Sequence, residues 1–466
     1  MARSNWTRRE ILRLGTAAMA TPYLIPSHVL GADGQPGANE RVNVAIIGLG
    51  GRARDIVKAC RGVPEARVVA VCDCFAPRCA AFVKAVGKDD KWATYDDFRK
   101  MFEKEKLDGV MVETTTHARA WVVVNAMQAG MDTYIEKPMC LTIAEGRYMV
   151  QAARKYKRVT QVGTQQRSMP INNWASDLVK NGALGKIHTV LAPNFVGPDT
   201  WTDKPGQKEP EGGRADWWDI WTNQAVFRPY HPQLHHGWSR WWDYDSGGVC
   251  YGVTGWGTHS YDQVQRALGT DETGPVEIWL EEPVEVRNTG KYIEGPSVGD
   301  VGEEDTGKDY HNLSRPVIGP RAKVSMRYAN GTVLKLHLDG DKGPGLGAIF
   351  IGEKGKLEIN RNKLASNPKE LIKSADNPGP NRRDETAYHV ENWVQCIKTR
   401  DRCTADVEYG QRSSTVCYLV NIVRAVGRVG EKLQWDPVAE RFTNCDEANK
   451  MLARERRKGY ELPKLA

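Results

Sequence analysis

Four groups of residues in this 466-residue chain have types and spacing suited to chemistry. Gly48-Leu49-Gly50-Gly51-Arg52-Ala53 follows an apolar run and precedes a helical pattern. Gly48 permits a tight turn, Gly50 lets a pyrophosphate approach the backbone, and Ala53 allows close packing of the helix. Gly51 and Arg52 then open that helix, whose amino terminus favours phosphate. Asp73, 25 positions after Gly48, can accept both hydroxyls of a ribose and repel a 2′-phosphate, which favours NAD over NADP. Arg78 is close enough in sequence to temper that preference. Lys137, in Glu136-Lys137-Pro138, is a cation standing between an apolar run and a turn proline. His259, with an ordinary pKa of about 6.5, can accept a hydroxyl proton. Asp262, three residues on, shares its face of a helix, either to orient the ring or to satisfy backbone groups or an ion pair.

These groups need elements to hold them. Residues 42–47 are β-branched and apolar and stop at glycine, the pattern of a buried parallel strand. Residues 68–72 repeat it and end on Asp73. A glycine pattern alone fits any tight turn, but strand, glycine turn, helix, strand and acid together specify a dinucleotide site. The alternation continues with strands predicted at 109–112, 133–135 and 159–162 and a helix over 121–129. Thr142-Ile143-Ala144-Glu145 is a capping box opening a helix to Tyr156. Repeated strand–helix units predict a parallel sheet covered on both faces. Lys137 then falls at the carboxyl edge, where open α/β sheets bind ligands.

Composition narrows the partners and the compartment. Thr7-Arg8-Arg9-Glu10-Ile11-Leu12-Arg13 reads as a twin-arginine export signal over residues 1–32, an address rather than an anchor. Cleavage is expected near Ala32, with an uncleaved leader as the alternative. The apolar stretch 14–30 is broken by Pro22 and Pro26 and is too short to span a bilayer, so no stable membrane insertion is expected. Net charge is +7; removing the +3 of residues 1–32 leaves +4, too little to argue for nucleic acid. The ten cysteines lack a second pair to complete a zinc site beside Cys72-x-Cys74. A chain folded before export from a reducing compartment leaves them as buried thiols. His231-x-x-x-His235-His236 has metal-like spacing, but Pro232 interrupts it, and no metal is expected.

The glycine fingerprint with Glu136-Lys137-Pro138 resembles the Gfo/Idh/MocA oxidoreductases, typified by glucose–fructose oxidoreductase and inositol dehydrogenase, in an exported subgroup. The resemblance covers nearly everything from Arg41 onward. It implies a Rossmann dinucleotide-binding domain at 41–165 and a substrate-binding and oligomerisation domain at 166–445. The second domain would be α+β with an open, mostly antiparallel sheet, followed by a surface tail at 446–466. In that family the lysine matching Lys137 lies beside the nicotinamide and the substrate hydroxyl. Thr114 and His117 match the loop after the fourth strand, and with Glu136 they are assigned to the cofactor. Glu113 and Thr115 depart from the usual alanine and proline. Gln161 to Arg167 is similar to the segment leading into the second domain, which assigns Gln166 and Arg167 to the substrate. The family's Asp-x-Gly-x-His-x-x-Asp motif appears as Gly255-Trp256-Gly257-Thr258-His259-Ser260-Tyr261-Asp262. The histidine and the last aspartate are kept, but the first aspartate is glycine.

Seven tryptophans crowd residues 217–256, interleaved with Tyr230, Tyr244 and Tyr251. They serve either as core or subunit interface, the default for tryptophan, or as a sugar pocket with Arg240, Asp243 and Asp245. On the second reading Arg240, Trp256 and Asp262 contact substrate. The expected function is hydride transfer between tightly held NAD and a sugar, polyol or glycoside hydroxyl carbon. Lys137 would polarise the hydroxyl and His259 accept its proton. A redox-neutral epimerase, lyase or glycosidase acting through transient oxidation is the alternative. A non-catalytic, nucleotide-stabilised sugar-binding protein is a third reading. A homodimer or homotetramer in the periplasm is expected.

Overall fold

The computed structural model describes residues 36–37, 40–247, 252–288, 318–338 and 345–465. The export signal and its cleavage near Ala32 lie outside the described residues.

The first sheet is six-stranded and wholly parallel, in the order β3-β2-β1-β4-β5-β6. Its strands are β1 (Val42–Ile47), β2 (Ala66–Cys72), β3 (Ala93–Tyr95), β4 (Gly109–Val112), β5 (Asp132–Ile135) and β6 (Thr160–Val162). The predicted strands are therefore present, with ends shifted by a residue or two, the usual uncertainty of such boundaries. Between them run α1 (Gly51–Arg61), α2 (Ala76–Val86), α3 (Phe98–Lys104), α4 (Thr116–Gln128) and α5 (Ile143–Lys155). Strands β4 and β5 are buried along their whole length, as a sheet covered on both faces requires. The capping box forms in part. Thr142 Oγ1 accepts the Glu145 N–H at 3.3 Å, but the Glu145 carboxylate takes the Leu141 N–H at 3.0 Å and pairs with Arg456.

The second sheet is mixed and nine-stranded, in the order β15-β14-β13-β7-β12-β11-β8-β16-β17. It uses β7 (Ile187–Pro193), β8 (Pro275–Leu280), β11 (Val324–Tyr328), β12 (Val333–Leu338), β13 (Ala348–Gly352), β14 (Gly355–Asn360), β15 (Lys363–Asn367), β16 (Leu433–Asp436) and β17 (Arg441–Phe442). A separate pair, β9 (Glu285–Asn288) with β10 (Ile318–Arg321), is antiparallel. Only β7–β12 is parallel in the large sheet; the other pairings match the antiparallel expectation. Helices α6 (Pro170–Lys180), α7 (Trp217–Thr222), α8 (Trp256–Leu268), α9 (Glu385–Thr399) and α10 (Val407–Val426) complete the layers.

Two helices join the halves. α9 packs on α1 of the first domain, and its Trp393 is fully buried against Gly109 of β4, where an added Cβ would come within 2.9 Å of the indole. α10 packs against α8 and α5 together. Both helices start on aspartates whose carboxylates accept a backbone N–H, Asp384 from Thr386 at 2.8 Å and Asp406 from Glu408 at 3.0 Å. Such caps contribute about 1 kcal/mol each.

The surface tail packs onto the rest of the protein. Tyr460 is buried, Tyr148 donates to the Pro463 carbonyl, and Arg457 pairs with Asp219. Its tyrosine and leucines supply apolar area that its many charges conceal in the sequence. The nine cysteines among the described residues are unpaired, and eight are buried. No helix among the described residues is long and apolar enough to cross a membrane. Among them no three His, Cys, Asp or Glu side chains gather as metal ligands.

Candidate active site

β1 delivers the chain to Gly48 with φ +89, and a Cβ there would lie 2.6 Å from the Thr114 backbone nitrogen. Only glycine suits that turn. Gly50 caps α1 without a side-chain hydrogen bond, and no acidic residue occupies the first turn of that helix. A Cβ on Gly50 would meet nothing within 4 Å. The helix terminus therefore faces an open cradle with its N–H groups uncapped by side chains, which fits a pyrophosphate. The Asp73 carboxylate accepts the Leu49 N–H at 2.9 Å and the Phe75 N–H at 3.0 Å. It is thus fixed beside the glycine turn with lone pairs to spare for ribose hydroxyls. Gly48, Gly50, Gly51, Arg52 and Asp73 together fit a dinucleotide.

The other end of the cleft is built on the residues after β5. Glu136 is buried; Arg52 Nε donates to it at 2.7 Å, Gln165 at 3.1 Å, and the Lys137 backbone N–H at 2.8 Å. Burial alone would raise its pKa, but Arg52 and Lys137 bring it below the ordinary carboxylate value. Glu113, at the end of β4, shows the opposite. Both of its oxygens are buried without a hydrogen-bond partner among the described residues, and burial with the charge of Glu136 pushes its pKa well up. Arg119 of α4 ties two loops together, donating to the carbonyls of Thr114 (2.6 Å) and Pro138.

His259 reaches this group from α8, whose N-cap is Gly255. It is buried, and Nδ1 has no partner among the described residues. Burial first, then the charges of Arg361, Lys137 and Arg52, depress its pKa well below the ordinary value. The imidazole is neutral at physiological pH, the form that can accept a proton.

The remaining predicted residues divide into distinct environments. Thr114 lies against Gly48, with its hydroxyl buried and unpartnered. His117 is fully buried between Trp221 and Tyr244; burial pushes its pKa down to about 4. A neutral ring carries one N–H, and the shorter contact, 2.7 Å to the Trp221 carbonyl, takes it. Arg78 meets His235 at 3.2 Å. Gln166 donates to the Leu346 carbonyl and to Gln263. Arg167 and Asp262 are paired with each other at 2.8 Å, both about 1% exposed. Trp256 is partly buried against the main core, and Arg240 pairs with Asp199 across the face of Trp241.

The tryptophan-rich segment forms a satellite core. Trp201, Trp217, Trp218, Trp221 and Trp241 are buried with Tyr230 and Tyr244, and this cluster packs on Cys74 and Phe75 just after Asp73. Phe75 and Trp217 are 4.6 Å apart, and Trp218 stacks on Trp221 at 4.5 Å. The core reading thus accounts for these rings, and they cover the chain next to Asp73.

Two residues that the sequence does not single out, Arg361 and Arg119, also bring charge to this group, together with Asp245 beside the tryptophans. Arg361, in the turn between β14 and β15, donates to Gln166 and Glu385 at 3.3 Å and leaves Nη2 buried without a partner. Arg119 is concealed in a helix pattern. Asp245 lies on the loop before α8 and is 2% exposed. Each arrives through tertiary packing, and no spacing in the sequence marks Arg361 or Arg119.

Comparison with known proteins agrees with this geometry. Residues 42–164 match the oxidoreductase family described as an NAD-binding Rossmann fold, and residues 174–292 and 307–462 match its C-terminal alpha/beta domain. The chain is similar to D-apiose dehydrogenase of Paraburkholderia graminis, 32% identical over 146 residues, covering 31% of this chain and 38% of that one. It is also similar to a glycosyl hydrolase family 109 protein of Saccharopolyspora erythraea, 30% identical over 179 residues, covering 34% and 39%. The matched stretches thus span under half the length of these relatives. In fold it is like the WlbA dehydrogenase of Bordetella pertussis, solved with NADH and UDP-GlcNAcA. That likeness has a TM-score of 0.54 at 16% identity and covers 85% of this chain and 99% of that one. The chain belongs to the Gfo/Idh/MocA oxidoreductase family and carries its NAD-binding Rossmann domain.

Proposed function

We propose that this protein is an oxidoreductase that oxidises or reduces a hydroxyl-bearing carbon of a sugar, polyol or glycoside. The observation that carries the reading is His259, buried with its Nδ1 unpartnered among the described residues, and near enough to Lys137 at the carboxyl edge of β5 for that charge to help depress its pKa. When bound, NAD supplies the acceptor for a hydride from that carbon. Lys137 hydrogen-bonds the hydroxyl oxygen and favours its deprotonation by charge. His259 takes the proton. Related proteins that act on apiose or hold a nucleotide sugar support the substrate class.

Replacing Lys137 with alanine tests this. Reduction of the nicotinamide, followed by absorbance on a panel of sugars, should fall by roughly 10²–10⁴-fold, with the melting temperature unchanged. Unaltered turnover on an identified substrate would remove Lys137 from the chemistry.

A redox-neutral reaction is the second reading. In it the substrate carbon is oxidised transiently and the neighbouring C–H is acidified for elimination or epimerisation. The likeness to a glycosyl hydrolase family 109 protein favours it. So does the tryptophan core over Phe75, which favours a cofactor that stays bound. It predicts product without net reduced nicotinamide and with solvent deuterium in the sugar; absence of exchange would exclude it. Export by the twin-arginine route, which carries folded proteins, is compatible with either reading and places the protein in the periplasm. Leu191, Ile349 and Ile351 are half-buried on the face of the large sheet opposite its fully buried Val190 and Phe350. This alternation supports a homodimer or homotetramer formed sheet to sheet.

A further inference from the structure

Arg361 is a cation fixed between the elements that carry His259 and Lys137. Its turn, between β14 and β15, is pinned to the first turn of α6. Asn172 Nδ2 donates to the Asn360 carbonyl at 3.1 Å, and the Asn362 N–H donates to Asn172 Oδ1 at 3.2 Å. On one side Arg361 Nε donates to Gln166 at 3.3 Å, and Gln166 in turn donates to Gln263 of α8 at 3.2 Å. Gln263 lies one turn after His259 on the same face of that helix. On the other side Arg361 Nη1 donates to Glu385 at 3.3 Å. The next residue, Thr386, accepts from the Arg52 guanidinium at 3.4 Å. Arg52 pairs with Glu136, which also accepts the Lys137 backbone N–H. Arg361 is thus tied to the His259 helix in one direction and to the Lys137 turn in the other.

The hydrogen bonding of this guanidinium is incomplete. Both of its bonds are 3.3 Å long, against about 2.7–2.9 Å for a charge-assisted bond of good geometry. Nη2 is buried with no partner among the described residues, although the side chain as a whole is 25% exposed. A guanidinium presents its donors as a planar fork that matches a carboxylate. Nothing on the facing end of α8 would repel such a group. Gly255 caps that helix, and no acidic residue occupies its first turn. After burial, Arg361 is the strongest of the influences that depress the His259 pKa, in keeping with the contacts through Gln166 and Gln263.

Resting on the oxidoreductase reading above, we propose that the substrate is a sugar acid, a uronate or aldonate, whose carboxylate is bound by the unused edge of Arg361 while a hydroxyl carbon is presented to Lys137 and His259. Gln166 then serves the substrate indirectly, by holding the Arg361 fork in place. A carboxylate supplies the acceptor that Nη2 lacks, whereas a neutral sugar offers only a hydroxyl to a charged donor. A site built to hydrogen-bond one group of its substrate discriminates against the analogue that lacks it.

The test uses the full chain loaded with NAD and pairs of sugars that differ only in carboxylate against hydroxymethyl. Glucuronate and glucose, galacturonate and galactose, and gluconate and sorbitol form such pairs. Binding is read by calorimetry and turnover by product formation with absorbance of reduced nicotinamide. At least one acid should bind, with kcat/KM above that of its neutral partner by roughly 10–10²-fold, the range for hydrogen bonds to a charged group. Arg361→Gln should bring that ratio close to one, with the melting temperature and the NAD content unchanged. Arg361→Lys, which keeps the charge without the fork, should restore part of the preference. Binding of no acid in the panel, equal binding of an acid and its neutral partner, or an equal fall for both in Arg361→Gln would overturn the proposal. So would loss of bound NAD from Arg361→Gln, since the arginine would then serve the pyrophosphate. If an acid binds through Arg361 but no product forms and the nicotinamide is never reduced, the oxidoreductase reading falls and the carboxylate subsite stands.

Discussion

Around Asp262 the buried charges close on one another. Arg167 Nε lies 2.8 Å from both Asp262 oxygens, Arg167 Nη2 lies 2.7 Å from Asp271, and Ser413 donates to Asp262 at 2.6 Å. The guanidinium also stacks on Tyr409 at 5.1 Å. Around Glu136 the same residue types are left open. Among the described residues, both Glu113 oxygens, His259 Nδ1, Arg361 Nη2 and the Thr114 hydroxyl are buried without partners, whereas the Asp262 group leaves only Arg167 Nη1 so. Buried polar groups in folded proteins are normally satisfied. A cluster that leaves several unmet is therefore organised for something that binds, and a closed one holds the fold. Residue type and burial do not separate the two; the completeness of the hydrogen bonding does.

Replacing His259 with glutamine should have the largest effect on turnover, roughly 10²–10⁴-fold, with little loss of stability. Its depressed pKa also has a sign in stability. A histidine held neutral in the folded state contributes stability that is present above about 6.5 and is lost as pH falls towards the lower folded value. The glutamine variant should therefore lose stability less steeply on acidification, as followed by urea unfolding from pH 7 down to 4. A variant that unfolds readily at neutral pH while retaining its specific activity would move His259 to the closed class.

Asp262→Ala should do the reverse. It leaves the Arg167 guanidinium, 1% exposed, without its principal partner. Breaking one side of a buried pair costs about 3–5 kcal/mol. Chemical denaturation should show that loss, and whatever protein remains folded should keep the turnover of the parent. A specific loss of turnover without destabilisation would instead place Asp262 in contact with substrate.

The two clusters also differ in how far the sequence revealed them. Gly48, Gly50, Asp73 and Lys137 were legible because a strand-to-helix turn and a strand end are local patterns with fixed spacing. His259 was legible as part of a motif on one helix. Arg361 was not, since a hairpin turn reaches the site only once the large sheet has folded, and Asp245 was visible only as a charge beside the tryptophans. Arg167 and Asp262 were selected as substrate contacts by their motifs. Their mutual pairing across 95 residues is a tertiary fact no periodicity carries. The tryptophans show the same limit: their number announced a cluster, but only the contact with Phe75 tells which surface it covers. In the large sheet, the parallel β7–β12 pair has strands more than a hundred residues apart, whereas its antiparallel neighbours β11–β12 and β13–β14 join strands close in sequence.

Glu113→Gln is the smallest change and the sharpest probe of the open cluster. In the folded state burial and Glu136 hold the Glu113 pKa well above its ordinary value. A carboxyl with a raised folded pKa contributes stability that is full below the unfolded value, about 4.3, and is lost as pH rises towards the folded value. Glutamine has the shape of the protonated acid and does not titrate. The variant and the parent should therefore be equally stable near pH 4. At neutral pH and above the variant should be more stable by on the order of 1–3 kcal/mol, the range for an unsatisfied buried polar group. A stability gain beside the nucleotide cradle would show that the parent retains an unfavourable carboxylate there, as expected of a site that gives up stability to bind a ligand. A loss at neutral pH would mean that Glu113 is ionised and paired, in which case the cluster around Glu136 is as closed as the one around Asp262.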